Sequence, residues 1–172
     1  NAIDINNRYN PNINKGEMYY SHLFMGLCYM IQNDYNNSIT EINKSIVDTN
    51  WQKVFLIDRA RVYFLSNQSE LANIDFKKVT RTSIDTLQKA IAYAYLGDKE
   101  KAIETVNSFK RINQVNLFKT YNIQAAAVYS ILKEYDIALD YLAKIKHLKY
   151  NYTEWILNNP DFSNLKNNDR FL

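Results

Sequence analysis

Apolar residues recur along this chain at helical spacing, in pairs of segments separated by turns of two to four residues. Tyr19–Gln32 is apolar on nearly every side, as a helix flanked by neighbours must be. Asn33-Asp34 interrupts it, and Tyr35–Val47 follows as an amphipathic companion with Ile39, Ile42 and Ile46 on one face. The alternation continues as Trp51–Leu65 with Glu70–Val79, and then Ser83–Leu96 with Lys99–Arg111. A fourth pair runs from about Asn116 to Leu132 and from Tyr135 to His147. Between the members of the third pair, Gly97 suits a left-handed helix C-cap and Asp98 can accept from the next helix's free amides. Turns this short force each pair antiparallel, the geometry of an αα-hairpin. The pattern predicts an all-α chain.

The pairs also repeat one another. Gly26 is followed by Tyr29, Ala60 by Tyr63, Ala90 by Tyr93 and Ala126 by Tyr129. Twelve residues beyond each small residue stands another: Ser38, Ala72, Ala102 and Ala138. Large apolar residues follow at Ile42, Phe76, Val106 and Leu142, and then come Ser45, Val79, Phe109 and Ile145. Small side chains where two helix axes cross let the backbones approach, while the tyrosines fill the adjoining space. The intervals between the first small residues are 34, 30 and 36 residues. The short second interval predicts a clipped connection within Phe76–Thr82. A period of this size marks an array of stacked units.

Repeat three reads Ala90-x-x-Tyr93-x-x-Leu96-Gly97-Asp98-Lys99-Glu100-Lys101-Ala102-Ile103, and repeat four reads Ala126-x-x-Tyr129-x-x-Leu132 through Ala138-Leu139. In these residues the chain resembles the tetratricopeptide repeat (TPR) family over nearly its whole length. Repeats one and two match less fully, with Ser38 in an alanine slot, and no repeat ends in the family's proline. The resemblance implies a right-handed α-solenoid of about four helix-turn-helix hairpins, at residues 17–50, 51–82, 83–114 and 115–149. Before it, residues 1–16 read as the last turn of a preceding helix plus an Asn-rich loop. After it, residues 150–172 resemble the closing segment of bacterial tetratricopeptide proteins. There a capping helix at Tyr152–Leu157, with Trp155, Phe162, Leu165 and Phe171, covers the end of repeat four. The chain then reads as the C-terminal interaction module of a larger bacterial protein.

Composition narrows this little. With 47% hydrophobic and 23% charged residues in 172, the chain has an ordinary soluble make-up. It is long enough to bury roughly 70% of its unfolded surface without a metal or disulfide. A net charge of +3 is too small to imply a nucleic-acid or membrane partner. Lys77, Lys78 and Arg81, like Lys144, Lys146 and Lys149, lie near predicted helix C-termini, where cations favour the macrodipole. The one cysteine, Cys28, cannot form an intrachain disulfide and leaves cytoplasm and periplasm both open, with cytoplasm preferred. No apolar run approaches the 18 residues of a membrane span.

The resemblance places ligands on the concave face, which the first helices line. Mapped onto this sequence, that face takes Tyr20, Phe24 and Leu27 from repeat one and Ile57, Asp58, Arg61 and Phe64 from repeat two. Repeat three adds Gln88, Ile91 and Tyr95, and repeat four adds Gln124. A lining this apolar favours a peptide or amphipathic helix. Family members that clamp a terminal carboxylate use Lys and Asn where this chain has Leu23, Leu27, Asp58, Ile84 and Gln88, so that ligand is not expected. Arg61 beside Asp58 could grip a carboxylate or form an ion pair within its repeat.

Catalysis has little support. His22 and His147 lie on different repeats without Cys/His ligand spacing, so no metal or cofactor is expected. His22 reads as a hydrogen-bonded packing residue and Cys28 as a buried structural thiol. No phosphate loop or nucleophile elbow occurs. The expected function is non-catalytic protein binding, with no nucleic-acid ligand and no membrane insertion. A structural spacer or a homodimerising domain, with the apolar groove filled in cis or by a second copy, is the alternative.

Overall fold

The structure, a computed structural model, describes residues 15–46, 55–82, 87–112, 118–145 and 153–171. The expected remnant helix near the N-terminus, Trp51, Ile84 and His147 lie outside the described residues, as does the side chain of Trp155. The expected boundaries between repeats fall outside the described residues or at their edge.

All regular structure among the described residues is helical. In chain order the helices are α1 (Lys15–Ile31), α2 (Tyr35–Ser45), α3 (Leu56–Leu65), α4 (Ser69–Thr80) and α5 (Leu87–Tyr95). There follow α6 (Lys99–Ile112), α7 (Phe118–Ile131), α8 (Tyr135–Ala143), α9 (Thr153–Asn158) and a 3-10 turn at Pro160–Leu165. Two compact units divide the chain, residues 1–72 and 73–172, and the division falls within α4.

The same turn closes the first helix of each pair. Asn33, Asn67, Gly97 and Lys133 take left-handed backbone angles, with φ of 60°, 60°, 79° and 64°. The amide after each of them donates back to a tyrosine carbonyl. Asp34 bonds Tyr29 at 3.0 Å, Gln68 bonds Tyr63 at 2.8 Å, Asp98 bonds Tyr93 at 2.9 Å and Glu134 bonds Tyr129 at 2.9 Å. A second bond runs from each left-handed residue to the carbonyl three positions earlier, which completes a Schellman cap. The amides of Ser38, Ala72, Ala102 and Ala138 then make the next helix's first bonds, to the carbonyls of Asp34, Gln68, Asp98 and Glu134. Asp34 and Asp98 also use a side-chain oxygen to accept from the amides of Asn37 and Lys101, each at 3.2 Å. These are N-caps of the expected kind.

In unit 1, α1 pairs with α2, and α2 packs on α3. Leu23, Met30, Ile42, Phe55 and Val62 form the core, bordered by Leu27, Tyr35, Ile39, Ile46 and Leu65. Gly26 lies at the crossing of α1 and α2. A Cβ there would stand 2.5 Å from Ile42 Cγ1, so only glycine permits this approach. Ser38 seals the crossing by donating its Oγ to the Gly26 carbonyl at 2.8 Å.

In unit 2, α5 pairs with α6, α7 pairs with α8, and α5 also packs against α7. Ala90, Ala102, Ala126 and Ala138 are completely buried. The expectation that small residues mark close packing holds at these slots. The clipped connection expected within Phe76–Thr82 is not found at Phe76–Thr80, which is part of α4.

Candidate functional site

The predicted interaction residues divide between the units, and burial separates them further. On α1 the helix is apolar around its circumference, yet Leu23, Gly26 and Met30 face the core while Phe24 is 62% exposed and Tyr20 and Ile31 are each 45% exposed. Leu27 borders this face, half-buried against the core cluster. Tyr20, Phe24, Leu27 and Ile31 recur at the three- and four-residue spacing that makes one stripe on a helix. On α3, Phe64 is 47% exposed. The Tyr20 ring meets Phe55 edge-on at 5.5 Å, which fixes one end of the stripe.

Other predicted residues lie inward. Ile57 is fully buried and Ile91 nearly so. They fill interior space, where a partner has no access. Arg61 is only 7% exposed, and its Nη1 donates to Asp58 Oδ1 at 2.8 Å, one helical turn away. Of the two roles foreseen for Arg61, the geometry is that of an ion pair within its helix. Gln88 and Gln124 are half-buried on α5 and α7.

Tyr95 is engaged within unit 2. Its ring stacks on Phe76 at 4.5 Å, and its hydroxyl donates to Asp161 Oδ1 at 2.8 Å. Asp161 belongs to the 3-10 turn, which packs against α7. Phe162 and Leu165 are completely buried there, and Phe171 stacks on Phe162. Arg170 extends the attachment with Nη1 to Asp136 and Nη2 to Asp140 on α8, both at 2.9 Å. The closing segment was expected to cover repeat four. It also reaches α5 through Tyr95, a contact 66 residues apart in sequence that no local pattern signals.

The titratable groups form structural clusters. His22 Nδ1 lies 2.7 Å from Glu41 Oε2, and Lys44 Nζ donates to Glu41 Oε1 at 2.7 Å. Burial alone would lift the Glu41 carboxyl above its ordinary 4.5, but hydrogen bonds from Lys44 and His22, aided by their charge, hold it below that value. The cluster ties α1 to α2 and makes His22 the hydrogen-bonded packing residue expected. Tyr121, Tyr129 and Tyr141 gather between α7 and α8, where the Tyr129 and Tyr141 rings stack at 5.6 Å. Burial, reinforced by Tyr141, pushes the Tyr121 and Tyr129 hydroxyls up, so both stay protonated at neutral pH.

Cys28 corrects an expectation. It is exposed, not buried, because it shares the outward side of α1 with Phe24 and Ile31. Among the described residues no group of three or more His, Cys, Asp or Glu side chains could hold a metal ion. None of the described helices is long and apolar enough to cross a membrane. An open depression on α6, lined by Lys99, Glu100, Ile103, Glu104 and Asn107, belongs to one helix surface and encloses nothing. No family model, curated protein or solved structure matches the chain.

Proposed function

We propose that the chain is a tetratricopeptide-type solenoid of four hairpins acting as a non-catalytic protein-binding module. It takes a peptide or an amphipathic helix on the apolar face of α1. The observation that carries this reading is the exposure of Phe24. Two residues before each first-helix small residue, the four repeats hold Phe24, Asp58, Gln88 and Gln124. Three of the four are polar, so packing of the hairpin does not demand an aromatic at this slot. An exposed aromatic that the fold does not require, bordered by Tyr20, Leu27 and Ile31, is the kind of patch that marks an interaction surface. An amphipathic helix presenting residues at three- and four-residue spacing matches such a stripe.

The test is affinity capture from a lysate of the source organism, with the wild-type chain and a Phe24→Lys/Ile31→Lys variant side by side. Both changes are at exposed helical positions, so circular dichroism should show the fold unchanged. Tyr95 is left alone because its hydroxyl bond to Asp161 belongs to the fold. A protein retained by the wild type and lost by the folded variant supports the reading. Equal capture, or none, overturns it. A light-scattering mass that falls from dimer to monomer in the variant would instead assign the face to self-association.

A further inference from the structure

The C-terminal segment has the form of a bound ligand. Asn159 caps its own turn by accepting from the Asp161 amide at 2.9 Å, and Pro160 stands at the turn's start. In a 3-10 helix, residues three apart lie above one another. Phe162 and Leu165 accordingly share one face and are completely buried, while Ser163, Asn164 and Lys166 are exposed. The Asp161 carboxylate, almost fully buried, accepts the hydroxyl of Tyr95, itself a predicted interaction residue. Asn164 Nδ2 approaches the Ser130 carbonyl on α7 at 3.4 Å. The same serine's hydroxyl is buried without a hydrogen-bond partner. The seat thus holds a carboxylate and two apolar side chains and leaves one polar group unsatisfied.

We propose that residues 159–171 occupy, in cis, an interaction face of unit 2 formed by α5 and α7. That face takes from a protein partner a short helical segment of the same chemistry: a carboxylate, an aromatic at the next position and a leucine three further on. This rests on the reading of the chain as a peptide-binding module. A tethered segment competes at an effective concentration in the millimolar range, so an incoming ligand binds only when the tail opens or is outbid.

The probe is a fluorescent peptide of residues 158–172, offered to the intact chain and to an intact Phe162→Ala chain with a weakened tail. Anisotropy should report at least tenfold tighter binding to the Phe162→Ala chain, at one peptide per monomer. A peptide carrying Phe162→Ala should not bind, and one carrying Asp161→Asn should lose about tenfold. No peptide uptake by a Phe162→Ala chain that remains helical overturns the proposal, and so does a swapped dimer formed without peptide uptake. A second measurement needs no variant. In native-state hydrogen exchange on the wild-type chain, amides of residues 162–171 should exchange through a local opening, faster than those of α7. Exchange of both together, only on global unfolding, would make the tail inseparable core and refute the idea. All these readouts lie in unit 2, whereas the Phe24 test lies in unit 1, so a failure of the one test is distinguishable from a failure of the other.

Discussion

Replacing Gly26 with alanine asks how tightly α1 and α2 are locked. In an open helical position the change should stabilise, because glycine lies ~1 kcal/mol below alanine in helix propensity. Here the added carbon would stand 2.5 Å from Ile42 Cγ1, 3.1 Å from the Ser38 carbonyl oxygen and 3.2 Å from the Ile42 amide nitrogen. Carbon atoms in contact settle at about 3.5–4.0 Å, so the methyl overlaps Ile42 by about 1 Å or more. Ile42 is fully buried and β-branched, with few rotamers to retreat into. The two backbone atoms cannot yield unless the helices separate. Overpacking of this kind costs about 1–3 kcal/mol. Separation also strains the Ser38–Gly26 hydrogen bond, worth ~1 kcal/mol. Less the propensity gain, the net loss is about 2 kcal/mol, a fall of roughly 4–8 °C in the melting transition that includes unit 1. Thermal melts by circular dichroism read this directly. A double-mutant cycle with Ile42→Ala isolates the cause, since that change removes the clashing atom. In the Ile42→Ala background Gly26→Ala should cost markedly less, because only the two tight backbone contacts remain to offset the gain in helix propensity. A Gly26→Ala chain that melts above wild type, or loses the same amount in both backgrounds, refutes the reasoning.

Three further substitutions probe other links. Ser130→Ala removes a buried hydroxyl that has no hydrogen-bond partner and should raise stability by about 1 kcal/mol in urea melts; a loss would mean that the hydroxyl is bonded after all. Lys133→Gly relieves a left-handed residue at an exposed turn and should gain about 0.5–1 kcal/mol, the strain relief less the added freedom of the unfolded chain. The Glu41 carboxyl is held low in the folded state, so its contribution is present above the unfolded value and drains away as pH falls through the folded one. Urea midpoints recorded from pH 6 to pH 3 should therefore drop more steeply below about 4.5 for wild type than for Glu41→Gln; parallel curves would remove Glu41 from the acid limb.

Much of the local structure was legible in the sequence because it follows from backbone chemistry close along the chain. Gly97-Asp98 announced both a left-handed cap and an N-cap, and the small residues at Gly26 and Ala90 announced close crossings. What stayed illegible depends on neighbours distant in sequence. Helical spacing marks Phe24 and Ile91 alike as apolar first-helix residues, yet one is mostly exposed and the other nearly fully buried. Periodicity gives the face of a helix, but only the packed structure says whether something covers it. Cys28 was misjudged for that reason. Asp161 was hidden for another: a carboxylate in an Asn-rich tail reads as solvent-exposed until Tyr95 supplies the donor that makes its burial tolerable.

The recurrence of one turn also separates what the fold fixes from what it leaves free. Asn33, Asn67, Gly97 and Lys133 differ in chemistry, but each takes the same left-handed conformation and closes the preceding helix with the same pair of hydrogen bonds. Closing the hairpin therefore constrains backbone geometry and the small crossing residues, and little else. Slots that vary from one helix pair to the next without disturbing that geometry are not constrained by closing the hairpin. Phe24, Asp58, Gln88 and Gln124 occupy one such slot, and Ile31, Leu65, Tyr95 and Ile131 another. In the second set Ile31 is exposed in unit 1, whereas Tyr95 is held by the tail in unit 2. One structural position thus carries two states, uncovered and occupied. If the tail stands in for a ligand as proposed, the chemistry to look for in that ligand is the one that fills the occupied position: a carboxylate on a tyrosine hydroxyl beside a phenylalanine and a leucine.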